Sequence, residues 1–121
     1  MRNFRKYDVW SDGVDFSIEV YKMTERFPKR ETYALSDQMQ RAAVSIPSNV
    51  AEGCSRRSEK EFGHFLEISL GSAYEIETQM EIAVRLGYIT NEQFKESSES
   101  VQSIEKRLSS MINSIQPTSF P

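Results

Sequence analysis

Helical spacing of apolar residues constrains this chain more than any other feature. Phe62, Phe65, Leu66, Ser69, Ala73, Ile76, Met80 and Ala83 recur three and four residues apart with no proline among them. That periodicity predicts a helix over about 58–86, roughly 43 Å long by the standard rise. "SEKE" at Ser58–Glu61 reads as a capping box, in which Ser58 accepts from the Glu61 amide and Glu61 reaches back. Gly87 is the natural stop.

Three further segments share the period. The first, about 8–27, carries two adjacent stripes: Trp10, Gly13, Val14, Ser17, Val20, Tyr21 and Thr24, and beside them Val9, Phe16, Val20, Met23 and Phe27. Pro28 ends it. The second, about 35–53, keeps Leu35, Met39, Ala42, Ala43, Ile46 and Val50 in register across Pro47, which predicts one kinked helix with Gly53 as its stop. The fourth, about 90–116, opens on a second capping box, Thr90–Gln93, and runs a heptad seam of Val101, Ile104, Leu108, Met111 and Ile115. The tail 117–121 is expected to be loose. No strand pattern competes, and the connections are short, so sequential helices should be antiparallel neighbours. The fold class expected is all-α: one antiparallel up-down-up-down four-helix bundle.

The chain's 121 residues suit one core. Hydrophobic residues at 38% and charged residues at 27% fit a globular domain, and no apolar run approaches the roughly 18 residues of a membrane span. The N-terminus lacks the apolar stretch of a signal peptide. The single cysteine, Cys54, excludes an intramolecular disulfide. Together these features predict a cytoplasmic protein. Net charge is −3, but it is uneven: residues 1–60 hold 11 Lys and Arg against 9 Asp and Glu, and residues 61–121 hold 4 against 9. An anion-binding surface therefore belongs to the first half.

Catalytic and metal chemistry find few carriers. Glu61 and His64 form Glu-x-x-His on a helix, a spacing used in di-iron bundles, but with one histidine in the chain a second such pair is impossible. Cys54 has only His64 as an imidazole partner and no evident orienting group. Glu75 and Glu77 lie two apart on a helix and point in different directions. No phosphate loop or zinc spacing occurs. No metal, cofactor or small-molecule substrate is expected, and no enzymatic activity.

Surplus apolar surface is more telling. Ile68, Ile82 and Leu86 flank one side of the third helix's core stripe, and Leu70 and Tyr74 flank the other. With Val9, Phe16 and Met23 of the first helix, they are the expected contacts of a homo-oligomer. On the second helix Gln38, Arg41, Ser45, Ser48, Asn49 and Glu52 lie opposite the core stripe. Ser and Asn are poor helix formers and Pro47 costs about 3 kcal/mol in a helix interior, so a merely solvated face explains them badly. Together with Glu75 and Glu77 they are expected to line a packed interface or a ring lumen.

The stretches "RAAVSIPSNVAEG" and "GSAYEIET", with "YKMTERFP" before them, closely resemble the 23S ribosomal RNA intervening-sequence protein family, also described as S23-type four-helix bundle proteins. The sequence is similar as well to the accessory variability determinant proteins of diversity-generating retroelements. The resemblance covers about Phe4 to Ile115. It implies an antiparallel four-helix bundle assembled into a homopentameric ring, with RNA or a protein of a ribonucleoprotein complex as partner.

Two functions follow as expectations. In the first, a non-catalytic oligomer binds RNA or a ribonucleoprotein, with Arg41, Arg56, Arg57 and Lys60 on phosphates and Lys29 and Arg30 in support. In the second, the chain is a protein–protein scaffold and its arginines form ion pairs, for example Arg41 with Glu52, Glu75 or Glu77 of a neighbouring helix or subunit.

Overall fold

A computed structural model describes residues 1–115. Four helices, α1 (Asp8–Thr24), α2 (Leu35–Cys54), α3 (Glu59–Arg85) and α4 (Asn91–Ile115), pack in sequential order, and α4 closes back on α1. No strand occurs among the described residues. This is the all-α four-helix bundle. Short 3-10 turns at Phe4–Lys6 and Lys29–Glu31 precede α1 and α2. The tail 117–121, and the last residue of the expected fourth helix, lie outside the described residues.

The local signals act as chemistry dictates. Ser58 Oγ accepts from Glu61 N at 3.1 Å, and Glu61 answers by accepting from the Ser58 hydroxyl rather than its amide. The Thr90–Gln93 box is reciprocal: Gln93 N donates to Thr90 Oγ1 at 3.0 Å and Thr90 N to Gln93 Oε1 at 2.8 Å. Gly87, at φ 79°, terminates α3 in a Schellman motif, with Tyr88 N on Ala83 O and Gly87 N on Val84 O. α1 stops earlier than its pattern, at Thr24, and beyond it Phe27 turns inward to pack on Tyr88 with ring centroids 5.2 Å apart.

Pro47 sits inside a single unbroken α2 and is buried. Proline has no N–H, so the carbonyl of Ala43 loses its helical donor. Ser17 of α1 supplies a replacement: its hydroxyl lies 3.1 Å from Ala43 O and 2.9 Å from Gly13 O of its own helix. The proline ring is accommodated by Gly13, where an added Cβ would stand 3.2 Å from Pro47 Cβ and Cδ. Gly13, Ser17, Ala43 and Pro47 thus form one close α1–α2 contact.

Small polar groups also join α2 to α3. Ser69 donates to Ile46 O at 2.8 Å, and the Ser45 and Ser72 hydroxyls meet at 2.8 Å, with Asn49 Nδ2 donating to both Ser45 O and Ser45 Oγ. Gly53 is not the expected stop. α2 continues to Cys54, and Gly53 has no positive φ; it lets the helices approach, since a Cβ there would lie 2.9 Å from Phe65 Cβ.

α4 is held by its heptad seam and by polar ties. Val101, Ile104 and Leu108 are fully buried. Ser97 donates to Glu19 at 2.7 Å, and Arg107 pairs with Asp12 at 2.6 Å, both across to α1. On the α3 side Gln102 donates to Glu77 at 2.8 Å. Glu105 is buried beside Glu77. Burial, then a hydrogen bond and charge repulsion from Glu77, push its carboxyl up to about 8.

Candidate nucleic-acid interface

The antiparallel order brings the N-terminal turn, the end of α2 and the start of α3 to one end of the bundle. Arg2 N donates to Cys54 O at 3.1 Å, which ties the N-terminal segment to the end of α2. Asn3 caps the following turn by accepting from Arg5 N. Residues 1–8 and 52–61 then bring six cations, Arg2, Arg5, Lys6, Arg56, Arg57 and Lys60, against four carboxylates, Asp8, Glu52, Glu59 and Glu61.

Aromatic rings organise these cations. The Arg2 guanidinium lies over Phe62 at 3.9 Å and pairs with Glu59. Arg5 lies over Phe4 at 4.8 Å and within 5.8 Å of Trp10, and those two rings meet edge to face. Arg56 lies over Phe65 at 4.7 Å, with Glu52 3.9 Å away. Among the described residues Arg5, Lys6, Arg57 and Lys60 make no ion pair.

Only half of the cations expected from sequence belong to this end. Arg56, Arg57 and Lys60 do. Lys29 and Arg30 sit in the turn at the opposite end, where Arg30 donates to Tyr88 OH at 3.3 Å. Arg41 stands thirteen residues before the end of α2, about 20 Å along it by the helical rise, and Arg56 lies just beyond that end. Within the chain its carboxylate partner is Asp37, one turn back at 3.0 Å, rather than Glu52, Glu75 or Glu77. Arg2, Arg5 and Lys6 were missed because their proximity to Arg56 is tertiary; the only local signal was "RNFRK" itself.

The expected polar lumen also divides. Ser45 and Asn49 are spent on α2–α3 packing within the chain, and Glu77 belongs to the α3–α4 seam. Gln38, Arg41, Ser48, Glu52 and Glu75 are exposed.

The apolar surface requires a correction too. Val9, Phe16 and Met23 are buried in the protomer's own core and offer nothing to a partner. Both of α1's stripes are packed within the chain, since Gly13, Ser17, Val20 and Thr24 of the other are buried as well. Beyond them Ile18 and Tyr21 remain about half exposed, at 50% and 47%; with Trp10, Val14, Val44 and Ala51 they line an α1–α2 groove of about 590 Å³. On α3, Ile68, Tyr74 and Ile82 are exposed, as is Leu86 at its C-terminal cap, and Leu70 is partly buried against the core. Gly71 sits among them with nothing within 4 Å of a Cβ placed there.

Cys54 is buried, and burial pushes its thiol up despite the Arg2 charge pulling it down. His64 is exposed on α3 with its ring against Phe65. Among the described residues no three His, Cys, Asp or Glu side chains are grouped to hold a metal ion, and no helix is long and apolar enough to cross a membrane.

Comparison with known proteins gives a consistent answer. No curated protein matches the chain. The crystal structure of a protein of unknown function from the S23 ribosomal protein family of Bacteroides thetaiotaomicron VPI-5482 is similar, with a TM-score of 0.78 and 29% identity over 86% of this chain and 97% of that one. The 23S rRNA-intervening sequence protein family matches residues 5–110. With its four-helix architecture and a match over most of its length, this chain belongs to the 23S rRNA-intervening sequence protein family.

Proposed function

We propose that this chain is a non-catalytic, homo-oligomeric cytoplasmic protein that binds RNA, or the RNA of a ribonucleoprotein, through the basic end of its bundle. One observation carries the reading: six cations from two segments some fifty residues apart converge there, and four of them make no ion pair among the described residues. Phosphate neutralisation supplies most of the affinity of such surfaces. A ring, a pentamer on the family resemblance, would repeat this modest patch around its axis and make binding multivalent. Assembly is supported by two apolar surfaces on different faces, the α1–α2 groove and the α3 ridge around Gly71. Two unlike surfaces favour a heterologous contact, which closes into a ring where the rotation between neighbours divides the full circle.

The test is a salt titration of binding to a structured RNA. Log affinity should fall linearly with log salt, and the slope should shrink by about one per cation removed in Arg57→Ala and Lys60→Ala. Absence of binding at low salt rejects the reading. A protein scaffold without nucleic-acid contact is then the function favoured by the α1–α2 groove, whose lining is largely apolar.

A further inference from the structure

We infer that the basic end takes unpaired nucleotides in preference to duplex, with Arg5 and Arg56 as stacking platforms for nucleobases. This rests on the RNA-binding reading and adds the class of RNA. A guanidinium is planar and has two usable faces, whereas an ammonium has none. Arg5 already has Phe4 and Trp10 beneath it, and Arg56 has Phe65. Neither is buried by those contacts: Arg5 is exposed and the Arg56 side chain is 39% exposed. Each guanidinium thus lies against a ring and keeps part of its surface open to solvent, Arg56 less than Arg5 because its Nε is buried.

Arg2 differs. It is engaged by Glu59 as well as Phe62, and its side chain is 27% exposed, so it serves as an anchor for the N-terminal segment. Around the two platforms Lys6, Arg57 and Lys60 stand as point charges for the sugar–phosphate chain. Stacking on arginine planes and aromatic rings recognises splayed bases; bases inside a helix are already stacked on each other and are not available. A surface meant only for duplex phosphates has no use for guanidiniums immobilised on rings.

The experiment compares the full chain's binding to two labelled RNAs with equal numbers of phosphates, a single strand without secondary structure and a blunt duplex, at one salt concentration. The single strand should bind about a hundredfold more tightly, about tenfold for one base stacked on each of the two platforms. Arg5→Lys and Arg56→Lys keep the charge and remove the plane. Each should weaken the single strand about tenfold and change duplex binding less than twofold, with the salt slope retained. Trp10, the only tryptophan, sits beside Arg5 and gives an independent signal: its emission should change with the single strand and not with the duplex.

Equal affinity for both RNAs, or lysine variants that bind the single strand like the parent, would overturn the stacking inference and leave phosphate binding in place. Failure of both RNAs to bind at low salt removes the RNA-binding reading as well.

Discussion

Ser17 of α1 places its hydroxyl 3.1 Å from the carbonyl of Ala43 on α2, the acceptor whose helical donor is missing because residue 47 is proline. The α2 segment therefore tolerates Pro47 because α1 compensates for it. Leaving a buried acceptor without a partner costs about 1–3 kcal/mol. Ser17→Ala should lower stability by about that amount. In a Pro47→Ala background the new amide satisfies Ala43, and the same change should cost much less. Denaturant melts of the four chains in this cycle measure the coupling, and additivity within a few tenths of a kcal/mol would refute it.

Two glycines should respond oppositely to alanine. At Gly13 the added methyl meets the rigid Pro47 ring at 3.2 Å, so Gly13→Ala should destabilise by about 1–3 kcal/mol although alanine is the better helix former. At Gly71 nothing lies within 4 Å, so Gly71→Ala should stabilise the protomer by up to about 1 kcal/mol. If the α3 ridge is a subunit contact, the same methyl should weaken assembly. Thermal melting and sedimentation of one variant read both effects.

Stability should depend on pH through Glu105. Its carboxyl holds a proton up to about pH 8 in the fold, against an ordinary value of 4.5. Between those values the native state carries the proton and the unfolded state does not, so stability falls as pH rises, by at most about 1.4 kcal/mol per unit, and levels off above pH 8. Glu105→Gln is neutral throughout. It should remove this slope and be more stable than the parent at pH 8. Urea midpoints between pH 5 and 9 check the sign.

Light scattering should report a particle several times the 14.0 kDa of one chain. Val44→Glu in the groove and Ile82→Glu on the α3 ridge should each reduce that mass. If groove meets ridge, each variant alone should be monomeric and their mixture should form heterodimers through the one intact pair, whereas self-complementary interfaces would leave each variant a homodimer by itself.

The number, order and caps of the helices were legible in the sequence because they arise from contacts within a few residues: the three-and-four spacing, Ser58 and Thr90 at helix starts, Gly87 at a stop. Short connections then left little choice but an antiparallel bundle. Two adjacent apolar stripes on α1 left its rotation undecided, since either one satisfies the helical period. Only packing against α2 and α4 turned Val9, Phe16 and Met23 inward and Ile18 and Tyr21 outward. The role of Gly53 was likewise settled by Phe62 and Phe65 on another helix. The site followed the same division. Sequence marked Arg56, Arg57 and Lys60 as a cluster, but their union with Arg2, Arg5 and Lys6, and the separation of Lys29, Arg30 and Arg41 from them, depend on which ends of antiparallel helices meet. That is a relation between residues about fifty apart, and a local pattern carries no information about it.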